Sequence, residues 1–339
     1  MPLRDAIARV LSGQDLSEDA MAAAVEAILA GTAPAVQIAG LLVALRMKGE
    51  TVDELVGGAR ALRAHAVPVR DVPRGAIDTC GTGGDGAGTL NVSTAAGLVA
   101  AAAGVPVAKH GNRAASGTVG GADVLEALGV RLDLPPDAAS TCLARVGFAF
   151  LFAPLYHPAL GAAAAVRREL GVRTIFNLLG PLANPARVRR QVVGVCERRW
   201  VEPVAAVLRR LGAERAWVVH GAGGLDELAL EGESTVAEVA DGAVRLTTVR
   251  AGDAGLAPAP LAALRVSSVA DAAARLRAVL DGERGPMRDV VCLNAAAALV
   301  VGDAAPDLRA GVALATRAID GGAARALLAR LVAFGAEHA

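Results

Sequence analysis

The sequence predicts an α/β fold with a small all-helical domain and a large α/β domain whose mostly parallel central sheet is flanked by helices. Three observations support this prediction. The N-terminal part up to residue 68 shows only helical periodicity, short apolar segments then alternate with helical ones, and a proline-containing stretch, Pro68 to Pro73, separates the two patterns. Strands that alternate with helices are typical of a parallel sheet with helices on both faces.

The N-terminal part predicts three helices with recognisable ends. Ser17 is a suitable N-cap for the first of them, and Gly31 is a suitable stop. The second occupies the apolar segment that ends at Gly49. The third begins at Thr51, which stands at capping-box spacing from Glu54.

Beyond residue 73, short apolar segments predict buried strands. In chain order they are AIDTC, VPVAKH, FAFLFA, QVVGVC and RAWVVH. The segments STAAGLVAAAAG and VEPVAAVLRRLG predict helices that connect them. The dipeptide Asp241-Gly242 lies between two alternating segments and predicts a hairpin turn. From Asp271 onward, Ala-rich sequence predicts helices again.

Composition restricts the possible partners. The 339 residues are 54% hydrophobic, and 34 Lys+Arg balance 34 Asp+Glu, which argues against a nucleic-acid binder. Apolar runs are short and interrupted, so no membrane partner is expected. The four cysteines form no CxxC pair, which favours reduced thiols in a cytoplasmic protein over a metal centre or a disulfide framework.

The basic residues are nearly all arginine, and asparagine is also rare. The chain contains two lysines and five asparagines: Lys48, Lys109, Asn91, Asn112, Asn177, Asn184 and Asn294. In such a chain, these residues are expected where the side chain is hard to replace. The bias therefore favours two segments as functional, the one around Asn91 and VAKHGNR with Lys109 and Asn112.

A glycine-rich segment, DTCGTGGDGAGTLNVST, follows the first predicted strand. Gly81, Gly83 and Gly86 match the dinucleotide fingerprint, but no helix opens at the third glycine. Lys109-His110 also stands where the fingerprint expects an acidic residue at the end of the next strand. A P-loop is excluded because no Gly-Lys-Ser/Thr follows. The dinucleotide interpretation is therefore disfavoured.

A phosphate cradle explains this segment better. Successive glycine N–H groups can face an anion, and Asn91, Ser93 and Thr94 lie at the expected start of a helix, whose free N–H groups favour phosphate. One of the two hydroxyl residues could instead be a plain N-cap. Asp85 would repel a phosphate unless it bonds a ribose hydroxyl or meets a metal ion.

Two further clusters follow later strands. Lys109 is a natural point charge for a phosphate, whereas a lone histidine such as His110 is more often structural than catalytic. Asp226 and Glu227 follow a strand and a glycine loop. Adjacent acids are usually solvated loop charges, but beside a polyphosphate they become candidates for Mg²⁺.

The motifs GTGGDGAGTLNVST, KHGNR, HPALGAAAAVRRELGVRTIFNLLGPLANP and GLDE resemble, in order and spacing, those of the anthranilate phosphoribosyltransferases of tryptophan biosynthesis. The resemblance covers nearly the whole chain. It implies transfer of the phosphoribosyl group from phosphoribosyl pyrophosphate (PRPP) to anthranilate, two Mg²⁺ per subunit, and a homodimer. It further implies that residues 1–68 and a middle segment near 165–188 form the small domain, and residues 74–164 and 189–339 the large one.

The resemblance also implies site residues. Anthranilate would contact Gly81, Asn112 and Arg167, and the metal would bind Ser93, Asp226 and Glu227. PRPP would be held by Gly81, Gly84, Asp85, Thr89, Asn91, Val92, Ser93, Thr94, Lys109, His110, Gly111, Asn112, Arg113, Ala114, Ala115, Ser116, Gly117 and Gly121. No residue is an obvious catalytic base, and His110 is at most an assistant through hydrogen bonding. Of the neighbours Arg167 and Arg168, about 100° apart on a helix, one is expected to face the cleft.

The chain departs from the family pattern at Gly117 and Gly121, where hydroxyl residues are usual, so fewer side chains would donate to phosphate there. Two other functions have their own expected signatures. A pyrimidine nucleoside phosphorylase would share the fold but lack KHGNR together with Arg167. A non-catalytic, nucleic-acid-binding paralogue would have lost KHGN or the acidic pair and gained basic charge. We also expect no fused amidotransferase domain.

Overall fold

The computed structural model describes residues 2–114 and 119–338, and within them seven strands form one sheet. The strands are β1 (Ile77–Gly81), β2 (Val107–Gly111), β3 (Phe148–Phe152), β4 (Arg190–Gly194), β5 (Arg215–His220), β6 (Ser234–Ala240) and β7 (Ala243–Val249). Their spatial order is β3-β2-β1-β4-β5-β6-β7. Neighbours from β3 to β5 are parallel, and β6 and β7 are antiparallel, so the mostly parallel sheet is confirmed.

Helices precede the sheet and connect its strands. The N-terminal ones are α1 (Pro2–Leu11), α2 (Glu18–Leu29), α3 (Ala35–Lys48) and α4 (Val52–His65). Those that follow are α5 (Val92–Ala102), α6 (Gly121–Ala127), α7 (Pro136–Val146), α8 (Ala153–Tyr156), α9 (Gly161–Leu170), α10 (Ile175–Leu179), α11 (Val201–Arg210), α12 (Val269–Leu280), α13 (Pro286–Val301), α14 (Leu308–Asp320) and α15 (Ala323–Glu337).

The predicted helix ends and the hairpin are confirmed. The Ser17 side chain accepts a hydrogen bond from the backbone of Ala20, and Gly49 ends α3 with a φ of 90°. Thr51 and Glu54 form both bonds of the capping box, which satisfies donors that the first turn of α4 leaves free. Asp241 and Gly242 both adopt positive φ between β6 and β7, as a tight hairpin turn requires.

Two apolar cores lie on opposite faces of the sheet. Val192 and Val219 belong to the core that contains α5 and α13. Their neighbours Val193 and Val218 belong to the second core, which contains α1 to α4 and α9 to α11. Successive side chains of a strand point to opposite faces, so β1, β4, β5 and β6 contribute to both cores, whereas the buried apolar residues of β2 and β3 belong to the first. The N-terminal helices therefore share a core with the segment around α9 and α10.

This arrangement determines where a site can form. The carboxyl ends of the parallel strands β1, β2 and β4 lie at one edge of the sheet, where loops of α/β proteins bind ligands. Across the described ranges, each helix is too short or too polar to cross a membrane.

Candidate active site

A cavity of about 690 Å³ lies at the carboxyl ends of β1 and β2, with α9 and α10 on its other side. Every proposed site residue that the structure describes lines it: Gly81, Gly84, Asp85, Thr89, Asn91, Val92, Ser93, Thr94, Lys109, His110, Gly111, Asn112, Arg113, Ala114, Gly121, Arg167, Asp226 and Glu227. Ala115, Ser116 and Gly117 lie outside the described residues. A volume of this size accommodates a small-molecule ligand.

The glycine-rich loop joins β1 to α5. Gly83, Gly84, Gly86 and Gly88 all have positive φ, a conformation that glycine adopts without steric cost. Helix α5 begins only at Val92, well after the third glycine of the dinucleotide fingerprint. The loop therefore lacks the geometry of a dinucleotide site.

Asn91 occupies the N-cap position of α5, and its side chain does not cap the helix. The interpretation of Ser93 or Thr94 as the N-cap is therefore wrong, because the helix begins before either residue. The Asn91 Nδ2 donates to the Val119 carbonyl at 3.1 Å, whereas its buried Oδ1 has no partner among the described residues. Asn91 therefore leaves the first turn of α5, which lines the cavity, to be capped by a side chain from another segment.

Asp226 and Glu227 hold the two ends of this loop. The Asp226 Oδ2 accepts a hydrogen bond from the Gly83 N–H at 2.8 Å, and the Glu227 Oε1 accepts one from the Ser93 N–H at 3.0 Å. Burial and then the charge of Asp85 raise the pKa of Asp226. Burial and then the charge of Asp226 raise the pKa of Glu227. The pair is therefore not a set of solvated loop charges.

Two glycines allow the acidic loop to lie directly on the strand ends. A Cβ at Gly81, the last residue of β1, would come within 2.6 Å of the Asp226 Oδ2. A Cβ at Gly194, the last residue of β4, would clash with the Asp226 carbonyl group. Larger residues at either position would push Asp226 away from the glycine-rich loop.

The donor set suits magnesium. Asp226 and Glu227 supply carboxylate oxygens and Ser93 a hydroxyl, all hard ligands of the kind that Mg²⁺ prefers. Within the described ranges, no cluster of three or more His, Cys, Asp or Glu side chains is arranged to hold a metal. Since Mg²⁺ commonly takes one or two protein carboxylates and completes its shell with substrate oxygens and water, two acids and a hydroxyl are a sufficient set.

Lys109 lies at the floor of the cavity. Its Nζ donates to the Thr79 carbonyl and, at 3.2 Å, to the Ser93 hydroxyl. The residue is 3% exposed, so its positive charge is largely removed from water. Such a charge attracts an anion strongly when one enters the cavity, because screening by solvent is weak there.

His110 is buried beside Lys109. Its Nδ1 contacts the Gly180 carbonyl at 3.2 Å, so this nitrogen carries the proton. The Nε2 has no partner among the described residues and is left as a free acceptor. Burial and the neighbouring His157, whose ring centroid lies 5.1 Å away, lower the pKa of His110 to about 3. The imidazole is therefore neutral at physiological pH and cannot act as an acid.

Several cavity residues have their side chains committed elsewhere. The Arg113 guanidinium pairs with Asp123 and Glu126 of α6, so its charge faces the surface. The Asp85 Oδ1 accepts from the Ala87 N–H at 3.2 Å and stabilises the turn of the loop.

A Cβ at Gly121 would lie 2.8 Å from the Thr94 Oγ1, so Thr94 crowds a side chain at this position.

The two arginines of α9 differ as expected. Arg167 lines the cavity and stacks over the Phe176 ring at 5.6 Å, whereas Arg168 is exposed. Burial and the charge of Arg173 lower the pKa of Arg167. Sequence reasoning missed Arg173, although it belongs to the quoted motif RTIFNLLGP. Its Nη1 donates to the Gly83 carbonyl at 2.6 Å and ties the segment after α9 to the glycine-rich loop.

The chain is similar to known proteins along almost its whole length. Residues 74–325 match the glycosyl transferase family, a/b domain, and residues 4–66 match the glycosyl transferase family, helical bundle domain. The anthranilate phosphoribosyltransferase of Moorella thermoacetica is 53% identical over 332 residues, which are 98% of each chain. That of Rhodopseudomonas palustris (strain HaA2) is 51% identical over 330 residues, which are 97% of each chain.

Solved structures agree with the sequence relatives. The crystal structure of anthranilate phosphoribosyltransferase from Thermus thermophilus superposes with a TM-score of 0.92 at 48% identity, and the match covers 97% of this chain and 99% of that one. The enzyme from Saccharomyces cerevisiae in complex with PRPP and Mg gives a TM-score of 0.90 at 25% identity, with 99% and 98% covered. The same yeast enzyme in complex with 4-fluoroanthranilate gives a TM-score of 0.88.

Proposed function

Because the chain belongs to the anthranilate phosphoribosyltransferases of the glycosyl transferase family, we propose that its cavity binds PRPP and anthranilate through the residues described above. The enzyme transfers the phosphoribosyl group of PRPP to the amine of anthranilate and releases pyrophosphate. The product is N-(5-phosphoribosyl)anthranilate, and the reaction is the second step from chorismate to tryptophan. Magnesium assists the reaction.

One observation carries the assignment of residues to PRPP. The start of α5, the buried Lys109 ammonium and the Asp226–Glu227 pair meet in a single cavity. The positive end of the helix dipole and a desolvated cation favour phosphate, whereas the carboxylates beside them repel it. The carboxylates therefore imply a divalent cation between acid and phosphate.

We assign the metal to Asp226, Glu227 and the Ser93 hydroxyl. Bound magnesium would neutralise the charge that develops on the departing pyrophosphate. We propose two ions per subunit, because the two carboxylates lie against different parts of the loop, Asp226 at Gly83 and Glu227 at Ser93.

Anthranilate is assigned to the part of the cavity near α9. The guanidinium of Arg167 can donate two parallel hydrogen bonds to a planar carboxylate. The backbone at Gly81 and the amide of Asn112, which also line the cavity, complete the proposed contacts. Stacking of Arg167 over Phe176 fixes the guanidinium before the substrate arrives.

Catalysis is ascribed to positioning and electrostatics rather than to a strong base. The aromatic amine is already a nucleophile towards a ribosyl centre that becomes cationic as pyrophosphate leaves. Holding both substrates in one cavity lowers the entropic part of the barrier. The neutral His110 can assist only by accepting a hydrogen bond at Nε2, because burial prevents it from carrying the proton of an acid.

A fluorescence assay tests this function. Purified protein should consume anthranilate, with loss of its fluorescence, only when both PRPP and Mg²⁺ are present. Activity that persists in excess chelator would contradict the metal assignment. Phosphorolysis of a pyrimidine nucleoside, without loss of anthranilate, would indicate the phosphorylase instead.

We further propose a homodimer that involves α3. Apolar side chains are exposed there and on the neighbouring segment after α9: Val36 is 76% exposed, Met47 83% and Val172 53%. A groove of about 540 Å³ lies between α3 and the segment after α9, and it is lined by Val43, Arg46, Met47, Leu170, Val172 and Arg173. Exposed apolar side chains around a groove are typical of an interface, and a second copy of the chain would cover them.

The division into domains and the location are also proposals. We propose that residues 1–68 and a segment near 165–188 form the small helical domain, supported by the apolar core that α1 to α4 share with α9 and α10. Residues 74–164 and 189–339 would form the large domain. We propose a cytoplasmic location, supported by four free cysteines, of which Cys80, Cys142 and Cys292 are buried.

A further inference from the structure

Asn294 is a buried polar residue in the middle of an otherwise apolar helix. It lies in α13 and is 2% exposed, with buried alanines and aliphatic residues on either side. Burying an amide without hydrogen-bond partners is costly, so a residue of this type in a core is retained for the bonds it makes.

The Asn294 side chain binds one residue of the acidic loop through both backbone groups. Its Oδ1 accepts from the Leu228 N–H at 2.9 Å, and its Nδ2 donates to the Leu228 carbonyl at 2.9 Å. A further bond at 2.9 Å joins Nδ2 to the Val290 carbonyl, one turn earlier in α13. Both donors of the amide are thus used, and its orientation is fixed.

Leu228 directly follows Glu227. The loop that leads to it contains Gly221, Gly223 and Gly224 and has no strand or α-helix of its own between β5 and β6. A glycine-rich loop is easily displaced, so its end needs hydrogen bonds to a rigid helix to be held in place. Without the amide of Asn294, the buried N–H and carbonyl of Leu228 would lose their partners.

We propose that Asn294 is a positioning residue that holds Asp226 and Glu227 in the arrangement that binds magnesium. This inference rests on the proposed function of the acidic pair. Asn294 itself contacts neither carboxylate; it acts through the Leu228 backbone. Hydrogen-bond partners behind metal ligands commonly change metal affinity by about ten- to a hundredfold when they are removed.

Two variants and one control test the proposal. In Asn294→Ser the hydroxyl can still donate to the Val290 carbonyl but does not reach Leu228. In Asn294→Asp, of nearly the same volume, an acceptor for the Leu228 N–H remains and the donor to its carbonyl is lost. The control, Val301→Ala, removes buried volume at the end of the same helix, about 10 Å further along its axis.

The readout is the magnesium requirement rather than stability alone. At saturating PRPP, MgCl₂ is titrated and its half-saturating concentration is measured twice, from the PRPP-induced rise in Tm and from the initial rate of anthranilate consumption. We expect both Asn294 variants to need about tenfold more Mg²⁺ in both measurements. Val301→Ala should lower the Tm of the ligand-free protein while it keeps the wild-type requirement.

Folded Asn294 variants with the wild-type magnesium requirement would overturn the proposal. The same shift in Val301→Ala would also overturn it, since the effect would then follow from general destabilisation. If Asn294→Ser does not fold, the isosteric Asn294→Asp decides the matter. A wild-type protein whose PRPP response does not depend on magnesium would instead refute the proposed function of the acidic pair.

Discussion

The Glu227 carboxylate accepts a hydrogen bond from the Ser93 N–H at 3.0 Å, across 134 residues of chain. This bond joins the acidic loop after β5 to the first turn of α5, where phosphate is expected to bind. A carboxylate placed at the positive end of a helix competes with an anionic substrate unless a cation intervenes. The metal assignment depends on this relationship.

Neutralising the acidic pair should abolish activity without unfolding the protein. Asp226→Asn combined with Glu227→Gln keeps the shape and hydrogen-bond acceptors but removes both charges that hold the metal. We expect a loss of roughly several kcal/mol of transition-state stabilisation in kcat/KM. Since burial raises the pKa of both carboxyls, their ionised forms cost the folded state free energy, and the variant should melt at or above the wild-type Tm. Surface Glu233→Gln is the control.

Arg167→Ala should raise the KM for anthranilate and change that for PRPP little. The expected loss is roughly 1.5–3 kcal/mol, the range of a hydrogen bond to a charged group, which corresponds to about ten- to a hundredfold. The matched control is the exposed neighbour Arg168→Ala, which should leave both constants near the wild-type values. Steady-state kinetics with each substrate varied will distinguish them. If neither variant changes the KM for anthranilate, its carboxylate binds elsewhere, with Gly81 and Asn112 as the next candidates.

Stability should fall at mildly acidic pH because His110 is buried in its neutral form. Its pKa of about 3 in the folded protein lies below that of an unfolded histidine, about 6.5. Between these values the unfolded chain binds a proton that the folded chain does not, so stability present above about pH 6.5 is lost as the pH falls. The free energy of urea unfolding should therefore rise with pH in this range. His110→Gln should reduce the slope of that free energy against pH by up to about 1.4 kcal/mol per pH unit. Equal slopes for the wild-type protein and His110→Gln below pH 6.5 would contradict the burial of a neutral ring.

Met47→Glu should convert the proposed dimer into a monomer, because it places a charge on the 83% exposed apolar residue of α3. Burying that charge against a second copy would be costly. Leu246→Glu, on a 56% exposed apolar residue of β7, is the control and should keep the wild-type mass. Sedimentation equilibrium will measure both. A wild-type protein that sediments as a monomer would refute the homodimer itself.

The sequence by itself determined the elements whose signals are local. The caps of α2 and α4 depend on bonds between residues three positions apart, Ser17 to Ala20 and Thr51 to Glu54. The hairpin turn at Asp241-Gly242 is equally local. Residue type and spacing decide such features. The alternation of strand and helix patterns likewise predicted the parallel sheet, and the combined motifs indicated the family.

Only the tertiary structure decided which distant groups meet. Arg173 reaches Gly83 across 90 residues, and Asn294 reaches Leu228 across 66. The rarity of asparagine marks Asn294 as hard to replace, and Arg173 belongs to a recognised motif, but neither signal names the partner of the side chain. Their partners follow from the order in which the strands assemble and from the glycines that let loops lie against strand ends. Those are properties of the packed chain, because a hydrogen bond between remote segments exists only once the core has brought them together.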